Sequence, residues 1–299
     1  MEVGMRSFLR VFLVVAILIS AAACVIAEPI ALEYKFKQGE VNAYKVAMTM
    51  SVAAPQMAAA SAPASARTEM TITYKTLEVL PDGSAKIEVS TSAPAMSEGG
   101  KNVSSGNAKG STKVVVMSKQ GQITSSEGED SDMVSSSLQN MDFSGLLNGA
   151  SRQILFPSGP VDVGQKWTQD APMPFGGSKL SVSSTLVGLE GSGQEKNARI
   201  RQAFAGKINL GDVMKAMAGT SNMSPEQSAQ MSQINGTVNI TGDMQFLFSP
   251  NAGKMVRGGG DLTAKVIIGL PNNKNESASS STKNINLTVS MQMNITRIK

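Results

Sequence analysis

Few side chains in this sequence are of the kinds that do chemistry. The densest group of oxygen ligands is Glu127, Glu129, Asp130 and Asp132. Calcium takes about six to eight oxygens, but the loop pattern with a central Gly and a closing Glu is missing, so the cluster reads as a solvated loop ahead of a helix. Methionine is frequent, at 19 residues, and Met48-x-Met50 and Met291-x-Met293 each put two thioethers on one strand face. Soft sulfur selects Cu(I). With no Cys or His beside them, these thioethers are expected to be adaptable core filling. Histidine is absent altogether, which removes Ser-His-Asp and Cys-His catalysis and His-ligated zinc. Paired carboxylates hydrolyse glycosides without histidine, but sugar clefts use aromatic platforms, and the chain has one Trp and three Tyr. The expectation is a non-enzymatic protein with no cofactor and no metal.

The single cysteine, Cys24, sits where export signals are read. Arg6 and Arg10 precede an apolar run, Val11 to Ile19, and small residues at Ala21 to Ala23, the three parts of a secretory signal. Two cleavage readings compete. Val25-Ile26-Ala27 is a small-x-small site that would release residues 1–27 after Ala27. Ala21-Ala22-Ala23-Cys24 resembles a lipobox, with signal 1–23 and Cys24 lipidated as the first mature residue. Either way the chain is expected outside the cytoplasm, in a periplasm, outer envelope or extracellular space. Its only membrane contact would be an anchor at Cys24. The folded part then has no disulfide and must rely on core burial. The net charge of +4 is scattered and aromatics make up only 4%, so no nucleic-acid footprint is present. Asn-x-Ser/Thr sequons stand at Asn102, Asn222, Asn235, Asn239, Asn275, Asn286 and Asn294.

The elements that would position these residues are strands. Ile285, Leu287, Val289, Met291, Met293 and Ile295 alternate with polar residues, the period of a strand with one apolar face. The same alternation predicts strands at Leu32-Tyr34-Phe36, at Tyr44-Val46-Met48-Met50-Val52 and at Leu262-Ala264-Val266-Ile268.

Parts of the chain repeat. TLEVLPDGSAKI (Thr76–Ile87) is echoed by TLVGLEGSGQEKNARI (Thr185–Ile200), and VVVMSKQGQI (Val114–Ile123) by FLFSPNAGKM (Phe246–Met255). Gly39-Glu40 before Tyr44 matches Gly164-Gln165 before Trp167, itself expected to be a core anchor. Three elements in one order predict two duplicated β-rich halves, 28–123 and 161–299. Joining them would be a helical connector, 124–160, whose helix spans Asp132–Gly149. A second short helix is expected over Gly211–Ala218. Ala53–Ala66, Met96–Thr112 and Pro271–Ser281 are too polar or too small-residue-rich to offset ordering entropy and are expected to lack fixed structure.

YKFKQGE (Tyr34–Glu40) and FPSGPVDVGQKW (Phe156–Trp167) resemble a family of uncharacterised exported bacterial proteins, many of them lipoproteins, grouped as a domain of unknown function. The resemblance implies no activity and no functional residues. The expected architecture, a broad antiparallel sheet or half-barrel with one or two short helices, is similar to the half-barrels of periplasmic lipoprotein carriers. It suggests an envelope protein that holds a lipid or other hydrophobic small molecule. The alternative is a structural or interaction β-domain filled by its own side chains. An open sheet edge would also allow a dimer.

Overall fold

A computed structural model describes residues 28–54, 64–98, 101–103, 110–127, 154–172, 179–193, 196–211, 235–269 and 284–299. Its strands are β1 (Val41–Ala53), β2 (Ala64–Val79), β3 (Ala85–Thr91), β4 (Ala95–Glu98), β5 (Lys101–Val103), β6 (Thr112–Met117), β7 (Ile123–Glu127), β8 (Lys166–Pro172), β9 (Lys179–Glu190), β10 (Asn197–Asn209), β11 (Asn235–Ser249), β12 (Lys254–Gly269) and β13 (Asn284–Arg297). The fold is mainly β, as the alternation predicts, and the strands join one broad antiparallel sheet that does not close.

Along the sheet the order is β7-β6-β3-β2-β1-β13-β12-β11-β10-β9-β8, with β4 beside β2 and β5 beside β4. Neighbours in the sheet are mostly consecutive in sequence, except that β3 pairs with β6, β4 with β2, and β1 with β13 in the middle, while β7 and β8 lie at opposite ends. One face carries the core. On β13, Val289, Met291, Met293 and Ile295 are buried while Ser290, Gln292, Asn294 and Thr296 are exposed. Strict alternation lays every apolar side chain on one side, and each fully buried Val, Ile or Met contributes about 1.5–3 kcal/mol over an exposed one. Tyr44, Val46 and Met48 on β1 and Leu262, Ala264 and Val266 on β12 extend the same surface.

The repeated sequences fall on matching geometry. Thr76–Ile87 is the β2–β3 hairpin. In its turn the Asp82 carboxylate accepts the Ser84 N–H (2.9 Å) and hydroxyl (2.6 Å), which hold its pKa below the usual carboxylate range. Thr185–Ile200 is the β9–β10 hairpin. Each has a bulge just before the turn: Leu77 is skipped between the pairs Thr76↔Ile87 and Glu78↔Lys86, and Val187 between Leu186↔Ile200 and Gly188↔Arg199. Val114–Ile123 and Phe246–Met255 are the β6–β7 and β11–β12 hairpins, with Thr124 and Val256 as their bulge residues. At the strand entries, Gly39 N–H donates to Thr76 O (2.9 Å) and Thr76 N–H to Glu40 O (2.9 Å). Gly164 N–H likewise donates to Leu186 O (2.7 Å), and Leu186 N–H to Gln165 O (3.1 Å).

Three expectations need correction. Leu32-Tyr34-Phe36 is not a strand. The segment alternates because it is extended, but it runs across the turns instead of alongside a neighbour: Tyr34 N–H donates to Lys119 O (2.7 Å) and Lys35 N–H to Gly253 O (3.3 Å). Within Ala53–Ala66, β1 extends to Ala53 and β2 begins at Ala64. Within Met96–Thr112, Met96 lies in β4, β5 follows, and Thr112 opens β6. Small polar residues are ordered there by pairing with β2 and β3, a tertiary effect that composition does not carry. The helix over Asp132–Gly149, nearly all of Gly211–Ala218, and Pro271–Ser281 lie outside the described residues.

Candidate functional site

At the end of the sheet where the crossing segment passes over β1, β2 and β3, a pocket of about 70 Å3 remains. Its buried lining is apolar: Val46, Ile72, Ile87, Met117 and Ile295, with Thr76 among them. Toward solvent stand Glu40, Asn42, Lys35 and Lys254. All three tyrosines of the chain, Tyr34, Tyr44 and Tyr74, line this one pocket, and Phe36 completes its aromatic wall.

Tyr34 and Tyr44 are each held from two sides. Tyr34 stacks on Phe36 at 6.3 Å and meets Phe156 (5.3 Å) and, edge on, Phe248 (5.5 Å). Its hydroxyl oxygen accepts the Ile154 N–H at 3.2 Å. Tyr44 meets Tyr74 edge to face at 5.8 Å and donates to Met255 O at 3.2 Å. Such ring pairs add about 0.5–1.5 kcal/mol beyond area burial. Burial raises both phenols, that of Tyr34 well above the ordinary range and that of Tyr44 to about 12 despite the Arg297 charge. They therefore stay protonated near neutral pH and act as hydrogen-bonding walls.

Charges at the solvent end have fixed partners, Lys35 donating to Asn251 O at 3.3 Å. Lys254 forms an ion pair with Glu40, joining β12 to the start of β1. Arg297 donates to Asn42 Oδ1 (2.9 Å) and to Lys299 O (3.1 Å). An apolar interior with a few fixed polar groups at its mouth suits binding of a hydrophobic group whose other end is polar.

The sequence-predicted residues are distributed differently. Cys24 and Ala27 lie outside the described residues, as do Glu129, Asp130 and Asp132, while Glu127 ends β7. Trp167 is buried and donates its indole N–H to Leu155 O at 2.8 Å, an anchor for the connector. Asn286 and Asn294 face outward on β13, Asn235 and Asn239 lie on β11, Asn102 lies on β5, and Asn222 and Asn275 are outside the described residues. The two methionine pairs come together across β1 and β13. The tyrosine pocket escaped sequence reading, although the scarcity of tyrosine and its confinement to the first half were a usable signal. Comparison with known proteins finds no family model and no curated protein that matches the chain.

Proposed function

We propose that this chain is a non-enzymatic, exported protein of the cell envelope that holds a hydrophobic group, such as the end of an acyl chain, in the tyrosine pocket. The observation that carries the reading is the convergence of all three tyrosines on one apolar cavity. At about 70 Å3 the pocket is well below the several hundred Å3 of sites for whole small molecules, roughly 300–1,000 Å3. Its occupant is therefore one terminus of a ligand rather than a complete lipid.

The signal-like N-terminus supports export, and Cys24 supplies the anchor in the lipidated form. Descent of both halves from one duplicated unit is the economical reading of their matching turns, bulges and strand-entry hydrogen bonds.

A second reading is favoured by the same small volume: a structural or interaction β-domain whose sheet is filled by its own side chains. Native mass spectrometry of protein purified from its host envelope separates the two. Co-purifying lipid that is lost on Tyr74→Ala supports the first reading, and a bare mass supports the second. For the anchor, labelled palmitate should enter the wild type and be absent from Cys24→Ser. Equal labelling of both would remove the lipidated form.

A further inference from the structure

We propose that Met48, Met50, Met291 and Met293 form a binding site for a soft monovalent cation, Cu(I) or Ag(I), at the seam of the sheet. The register sets Met48 directly opposite Met293 and Met50 directly opposite Met291. Each pair is two residues apart on its strand, so all four side chains share the core face. Met48, Met291 and Met293 are buried, and Met50 is half-buried, which gives the group a side nearer to solvent.

The spacing is suitable. Opposed Cβ atoms lie about 5 Å apart across strands and about 7 Å apart along one, so the centre of the four is about 4 Å from each. A thioether sulfur two bonds beyond Cβ, plus a metal–sulfur bond of about 2.3 Å, covers that distance. The four sulfurs can meet one ion with the backbone unchanged.

The donor set decides which ion. Thioethers are neutral and soft, and among the adjoining core-face positions Val46, Val289, Leu262, Ile295 and Ala66 carry no oxygen or nitrogen side-chain ligand, leaving the single hydroxyl of Thr68, opposite Met48 on β2. Hard cations such as Ca2+ and Mg2+ need oxygen, whereas Cu(I) accepts sulfur alone. A single charge is also the least costly to desolvate. Neither half of the chain holds this site by itself, because two ligands come from β1 and two from β13.

Carbon-13 methyl NMR of methionine-labelled protein tests this, with Ag(I) as an air-stable probe. The first equivalent of Ag(I) is expected to shift the methyl signals of these four residues before those of the other methionines, and Ca2+ and Zn2+ are expected to leave them in place. In the Met50→Leu, Met291→Leu double variant, a near-isosteric swap, affinity should fall at least tenfold. The proposal is overturned if the first equivalent goes to other methionines or if the double variant binds as tightly as the parent. Should the variant not fold, the order in which wild-type signals move decides alone.

Discussion

The β2–β3 and β9–β10 hairpins make the same main-chain hydrogen bonds to their strand entries, yet the space beneath them is filled to different degrees. Where the second half has Leu186 bonded to Gly164 and Gln165, the first has the smaller Thr76 bonded to Gly39 and Glu40. Phe248 precedes the bulge at Val256, and Met117 holds that place before Thr124. Of the twelve largest fully buried side chains among the described residues, none lies between 28 and 127. Phe246, Phe248, Leu186, Ile200 and Met244 are among those in the second half. A shared backbone pattern thus leaves cavity volume undecided, and the side chains set it.

The largest test of this contrast is truncation. Phe248→Ala should cost about 3–5 kcal/mol, whereas Met117→Ala, beside an existing cavity, should fall at the low end of about 2–5 kcal/mol. Denaturant midpoints measure both, and equal losses would break the comparison.

Alkaline titration comes next, because tyrosines occur only in the first half. The Tyr44 phenol rises from 10.0 in the unfolded chain to about 12 in the fold. The unfolded state therefore loses its proton first. The stability from burying the neutral phenol is complete below pH 10.0 and disappears as pH rises through about 12. A shift of this size corresponds to about 3 kcal/mol. Tyr44→Phe should make that fall in stability with pH shallower, with Tyr34 still contributing to it, and an unchanged slope would remove Tyr44 from the account.

Glycines at the turns give a smaller contrast. Gly253 has φ of 64°, and an added Cβ would lie 2.3 Å from the Lys35 nitrogen. Gly164 has φ of 89° with open space around it. Gly164→Ala should cost only the left-handed backbone penalty of about 1–2 kcal/mol. Gly253→Ala should exceed it by displacing the crossing segment, visible as lost hydrogen-exchange protection at Lys35. The smallest expected change in stability is that of Thr76→Leu, which copies Leu186 into the first half. Melting should move by no more than about 1 kcal/mol equivalent, while any co-purifying ligand should be lost.

Legibility followed locality. The faces of β1, β12 and β13 and the four repeated turn segments were readable because alternation and turn residues act over a few positions. Leu32-Tyr34-Phe36 misled, since an extended segment crossing turns alternates like a strand. The partnership of β1 with β13 was not readable, and with it went the meeting of the methionine pairs; nor was the hydrogen bond from Tyr44 to Met255 O. These depend on contacts between residues far apart in sequence, which no local pattern encodes.

The central place of β13 has a consequence for how the molecule is made. Until those 14 residues are in place, β1 and β12 each expose an unpaired edge. Completion waits for a late, long-range insertion, the kind of step that is slow and vulnerable to aggregation. A truncation that removes β13 leaves two sheets with sticky borders in place of one.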